Sequence, residues 1–122
     1  MTLTELISGC EAEPVVLPDA AVVILRGYTS DLLSDVIAHA PEGCALITVQ
    51  NHLNTVAVAT LVGCRAILVC HNREIPADMH AAAAREGVAL LRTRLSQFEA
   101  SCRVGQQLAH ASRPEATNVA VC

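Results

Sequence analysis

Short apolar runs recur along the chain, each introduced by a glycine and preceded by a stretch with helical spacing. Gly43 precedes Cys44-Ala45-Leu46-Ile47-Thr48-Val49, Gly63 precedes Cys64-Arg65-Ala66-Ile67-Leu68-Val69, and Gly87 precedes Val88-Ala89-Leu90-Leu91. A glycine at such a boundary supplies the left-handed residue that ends a helix, and the runs have the length and continuous apolarity of strands buried on both faces. Repeated alternation of helix and strand predicts parallel strands joined by right-handed crossovers. The expected fold is therefore a single α/β domain of three layers, α/β/α, with a mainly parallel sheet.

The helical stretches carry their own signals. Ser30 or Asp31 is placed to cap a helix whose apolar face is Leu32, Leu33, Val36 and Ile37, and Pro41 ends it. Asn51 or Asn54 is expected to start a second helix over Thr55 to Leu61, apolar nearly all round and hence the most buried. Pro76 suits the first position of a third, Ala77 to Arg85, with Glu74 and Asp78 at its positive end. A last helix from about Ser96 to Ala109 would put Leu95, Phe98, Cys102 and Leu108 on one stripe and turn Glu99, Arg103, Gln106 and His110 to solvent.

The beginning is less periodic. Thr2 and Glu5 have capping-box spacing, which predicts a short helix over Leu3 to Ser8, followed by strands near Pro14 to Leu17 and Ala20 to Gly27. No linker, long repeat or low-complexity segment interrupts the pattern, so residues 1–110 form one domain and residues 111–122 are expected to be a flexible tail.

Composition narrows the chemistry. The 122 residues carry a formal net charge of −4, which opposes a general affinity for nucleic acid, and Tyr28 and Phe98 are too few aromatics to stack bases. All the basic residues are arginine. Without lysine the chain has no phosphate-loop lysine, Schiff-base nucleophile or pyridoxal anchor. No G-x-S-x-G occurs, and no pair of glycines is close enough to cradle a phosphate. Six cysteines, at 10, 44, 64, 70, 102 and 122, have no C-x-x-C spacing and read as small buried hydrophobes. No stretch has the length of a membrane span or the pattern of a signal peptide, so a cytoplasmic protein with reduced thiols is expected.

Parallel sheets bind ligands beyond the carboxyl ends of their strands, so polar residues matter most in the loops that follow the apolar runs. The richest reads Gln50-Asn51-His52-Leu53-Asn54, between a buried strand and a helix amino end that attracts anions. Helix capping would account for one asparagine but not for the whole cluster. His71, Asn72 and Arg73 follow the next strand and would join His52 in an anion pocket, with Arg73 as its cation. Ser30 and Asp31 follow an earlier strand; with Asp35 one helical turn on, they offer either a magnesium site or ordinary first-turn carboxylates, the latter favoured by the helix dipole. A zinc site from Cys70, His71 and His52 is the metal alternative, without the ligand spacing that zinc usually takes.

From Val22 to Leu108 the sequence resembles the DRTGG domain, a module similar to the amino-terminal domain of HPr kinase/phosphorylase. The resemblance lies in Tyr28-x-Ser30-Asp31-Leu32-Leu33, in Leu46-Ile47-Thr48 opening a polar loop, in Val56-Ala57-Val58-Ala59 and Ala66-Ile67-Leu68-Val69, and in Glu86-Gly87-Val88 and Thr93 with Phe98-Glu99. It looks like the stand-alone form that accompanies iron-only hydrogenase components. Where that family usually has Gly-Asp-Arg the chain has Gln50-Asn51-His52, and where it has Thr-Gly-Gly the chain has Cys70-His71-Asn72. The resemblance implies a regulatory, ligand-sensing module that pairs into dimers, with a redox complex as partner.

These readings converge on a non-catalytic binding module, a homodimer, meeting a small anion, a nucleotide or a protein through Ser30, Asp31, Gln50, Asn51, His52, Asn54, His71, Asn72 and Arg73. The alternatives are a metal-binding or redox component using Cys70, His71 and His52, and a purely structural homodimerisation protein. No cofactor is indicated by the pattern.

Overall fold

Left-handed backbone at Gly63 (φ 80°) and Gly87 (φ 70°) closes two helices just before two strands, as the glycine-strand pattern requires. The computed structural model describes residues 1–112, and the expected tail lies largely outside them. In chain order the elements are α1 (Leu3–Gly9), β1 (Glu13–Val16), β2 (Arg26–Thr29), α2 (Leu33–His39), β3 (Cys44–Thr48), α3 (Leu53–Val62), β4 (Ala66–Val69), α4 (Ala77–Glu86), β5 (Ala89–Arg92) and α5 (Gln97–Ser112). They build the expected three-layer α/β domain.

The sheet order is β1-β5-β4-β3-β2. Strands β2 to β5 run parallel, and β1 pairs antiparallel with β5 across a register shift between Pro14 and Val16. Because the parallel strands are neighbours in chain order, crossovers of one hand place α2, α3 and α4 together on one face. Helix α5 then returns over the other face to β2 and packs beside α1. Alternation along β4 feeds two cores: Ile67 and Val69 join the cluster under α2, α3 and α4, while Ala66 and Leu68 join the one under α1 and α5.

Several boundaries differ from the sequence expectation. The second strand does not cover Ala20 to Gly27: pairing starts at Arg26, and Val23 makes only an isolated bridge to Thr2. Helix α2 is capped by Leu32 with no side-chain bond, because Ser30 Oγ instead accepts the Leu32 N–H at 3.1 Å within the preceding turn. Neither Asn51 nor Asn54 caps α3; His52 holds that position, and its N–H donates to Thr55 Oγ1 at 3.4 Å. Pro76 caps α4 from just outside it. Gly43 has φ 80° but stands beyond a helix that has already ended at Ala40.

Helix α3 is not the most buried element. Only Thr55, Val56 and Ala59 are buried on it, and Leu61 is 71% exposed, because the sheet covers one side and none of the described residues overlies Leu61 on the other. On α5 the inward residues are Ala100 and Val104, and a register set by them turns Phe98 outward, 74% exposed. Arg103, expected in solvent, folds back to donate to the Gly9 carbonyl at 3.2 Å and to Glu11 at 2.7 Å. Among the described residues no helix is long and apolar enough to cross a membrane.

Candidate functional site at the carboxyl edge of the sheet

Three threonines, two at the ends of apolar strands and one in the first turn of a helix, organise the loops at this edge. Thr48 and Thr93 are buried, and so is Thr55 in the first turn of α3. Thr48 Oγ1 accepts the Gln50 N–H at 3.1 Å, and Thr55 Oγ1 donates to the Gln50 carbonyl at 3.3 Å, so the loop after β3 is pinned at both ends. Thr93 Oγ1 donates to the Cys10 carbonyl at 2.7 Å and accepts the Leu95 N–H at 3.2 Å. A hydroxyl that satisfies buried backbone in this way fixes a turn without a glycine. None of the three is among the expected site residues, although a threonine closing an apolar run was the signal at Thr48 and Thr93.

The loops meet each other at one edge. The Ser30 N–H donates to the Ile47 carbonyl at 3.1 Å, and Gln50 Nε2 donates to the Asp31 carbonyl, tying the β2 and β3 loops. Asn51 ties the next pair. Its Nδ2 donates to the Glu74 carbonyl at 2.7 Å, while its Oδ1 accepts from Arg73 Nη2 at 3.3 Å. On the far side Asn72 Oδ1 accepts from Arg92 Nε at 3.0 Å, and the N–H groups of His71 and Asn72 donate to the Leu95 and Thr93 carbonyls at 2.9 and 2.7 Å.

Asn51, His52, Leu53 and Asn54 together with Pro76 and Asp78 line a shallow depression of about 460 Å³ between the amino ends of α3 and α4. Sequence reasoning named three of these as ligand residues and missed the contribution of Pro76 and Asp78. The Asn54 side chain is exposed and makes no hydrogen bond among the described residues, and His52 is exposed at the α3 cap, whereas Gln50 and Asn51 are committed to loop structure. Arg73 is exposed and pairs with no carboxylate among them; Arg94, by contrast, is bonded to Glu11 at 2.9 Å. The edge thus offers hydrogen-bonding groups near two helix amino ends and two arginines, Arg73 and Arg92, held by asparagine side chains, with the Asp78 carboxylate opposing them. Such an arrangement suits the binding of a polar, anionic group.

Asp35 is engaged with β2 and with its own helix. Asp35 accepts from Tyr28 Oη at 2.7 Å and sits 3.0 Å from His39 Nδ1. The tyrosine bond, then Ser30 and His39, hold its carboxyl below the usual range. Cys70 is buried, and burial, then the neighbouring Cys10, pushes its thiol up to about 12. That opposes the thiolate that zinc ligation requires. Among the described residues no group of three or more His, Cys, Asp and Glu side chains is placed to hold a metal.

No family model matches the chain, and no curated protein matches it. Among solved structures it is similar to the crystal structure of the CBS and DRTGG domains of the regulatory region of Clostridium perfringens pyrophosphatase, complexed with its activator diadenosine tetraphosphate. The TM-score is 0.65 at 15% identity, over 84% of this chain and 45% of that one, so the chain spans less than half of the structure it matches. The likeness supports a DRTGG-like fold.

Proposed function

We propose that this chain is a non-catalytic regulatory module that senses a small phosphate-bearing ligand, a nucleotide, at the carboxyl edge of its sheet. The observation that carries the reading is Asn51: one side chain ties the β3 and β4 loops together, lines the depression that contains His52 and Asn54, and holds the Arg73 guanidinium at 3.3 Å. In this reading Arg73 meets the phosphate, His52 and Asn54 supply hydrogen bonds, and Ser30, Asp31, Gln50, His71 and Asn72 keep the loops in register. Support from outside the chain is that the structurally similar region belongs to a protein complexed with a dinucleotide activator.

Thermal unfolding with AMP, ATP and diadenosine tetraphosphate tests the proposal. A ligand at a hundredfold excess over its dissociation constant stabilises the fold by about 2.7 kcal/mol. Arg73→Ala and His52→Ala should each reduce that stabilisation while leaving the unliganded melting temperature nearly unchanged. No stabilisation by any of the nucleotides, or equal stabilisation of both variants, contradicts the reading.

A homodimer is a companion proposal, supported by the exposed Leu32 and Ile37 of the α2 region. Light scattering reads it directly: a monomer at every concentration removes it. The hydrogenase association rests on the sequence resemblance alone.

A further inference from the structure

At the other end of the sheet from the polar loops, two thiols face each other. Cys44 opens β3 and Cys64 lies just before β4, with their Sγ atoms 2.8 Å apart and the residues 0% and 5% exposed. A disulfide bond is about 2.05 Å long, so covalent closure needs a shift of less than one ångström.

The backbone on both sides is held by hydrogen bonds. The Arg65 N–H donates to the Cys44 carbonyl at 2.9 Å, the Gly43 N–H to the Gly63 carbonyl at 2.8 Å, and the Cys64 N–H to the Ala59 carbonyl at 2.9 Å, closing α3. Sheet pairing and a helix terminus therefore set the separation, not the chance rotamer of a mobile loop. Cys10 and Cys70 are buried in the opposite core and make no such sulfur contact among the described residues.

We propose that Cys44 and Cys64 are a redox modification site, closing reversibly into a disulfide under peroxide and reopening with a dithiol. One thiolate attacks the peroxide, an S–O bond forms, the O–O bond breaks, and the departing hydroxide takes a proton to become water. The second thiolate then attacks the resulting sulfenic sulfur: the S–S bond forms, the S–O bond breaks, and hydroxide leaves as a second water. The pair loses two electrons and two protons, and one hydrogen peroxide becomes two waters. A hydrogen bond between the two sulfurs, in which either can donate, favours the thiolate on its acceptor, and that sulfur provides the first nucleophile. Oxidation would staple the segment containing β3 and α3 at its two ends.

Titration of the full chain with hydrogen peroxide under native conditions, followed by thiol counting and peptide mapping, tests this. The expected product is a cross-linked Cys44–Cys64 peptide, loss of two of the six thiols, their recovery with dithiothreitol, and a raised melting temperature for the oxidised form. Oxidation without a Cys44–Cys64 cross-link overturns the proposal, as does irreversible oxidation of either sulfur or retention of all six thiols. Because the mapping uses the natural chain, a Cys64→Ala variant that fails to fold does not alter the outcome. The readout needs no nucleotide, so its result is independent of the ligand reading.

Discussion

Two consecutive residues after β4, His71 with φ 59° and Asn72 with φ 52°, adopt the left-handed conformation that L side chains avoid. They occupy the positions at which the DRTGG resemblance places two glycines. The left-handed region costs a non-glycine residue about 1–2 kcal/mol, and glycine returns about 0.5–1 of that through its looser unfolded chain. His71→Gly should therefore raise stability by about 0.5–1 kcal/mol in urea denaturation, and His71→Val should lower it. If glycine destabilises the protein, the imidazole does something that this account omits. A second residue-scale test uses Tyr28, the single tyrosine. Its hydrogen bond to Asp35, then burial and the negative charge of Asp35, raises its pKa. That contribution to stability is present below the ordinary tyrosine value and is lost as pH rises through the folded value. For Asp35 the sign is opposite: its contribution is present above the ordinary carboxylate value and is lost as pH falls through the lowered one. Ultraviolet titration of the phenolate should show a raised midpoint that falls back in Asp35→Ala; an unchanged midpoint would discount the hydrogen bond.

At the scale of elements, β4 is the strand on which the packing most depends, since Ala66, Ile67, Leu68 and Val69 are all buried and the two faces supply separate cores. Leu68→Ala should cost about 2–5 kcal/mol by chemical denaturation, whereas Leu61→Gln on the exposed side of α3 should stay within about 0.5 kcal/mol of the parent. Equal effects at the two sites would mean that the outer face of α3 is covered in solution. The contrast also shows what the pattern could convey. Continuous apolarity correctly marked β3, β4 and β5 as strands with both faces covered. The same apolarity in α3 suggested burial all round, because periodicity cannot distinguish a helix sunk in a core from one whose outer face lacks a cover. For the α5 stripe the expectation held in part: Leu95 and Leu108 join the core with Ala100 and Val104, while Phe98 lies off that face and is exposed.

For the whole molecule, the decisive consequence of the parallel sheet is that loops distant in sequence share one edge. Gln50 reaches the loop of Asp31, and Asn51 reaches that of Glu74, so the location of the polar cluster was legible from strand direction alone. The roles within it were not legible. Gln50 and Asn51, chosen as ligand groups, spend their amides on neighbouring carbonyls, and Thr48, Thr55 and Thr93, which fix these loops, were not chosen as site residues. Long-range hydrogen bonds of this kind leave no spacing signature, since their partners are 19 and 23 residues away. The most direct test of ligand sensing at this edge is amide chemical-shift mapping of the full chain titrated with diadenosine tetraphosphate and ATP. The account predicts saturable shifts concentrated at Asn51 to Asn54 and His71 to Asp78, weakened in Arg73→Ala. Shifts confined to the amino ends of the strands or the outer side of α3, or no saturable shifts with either nucleotide, would contradict it.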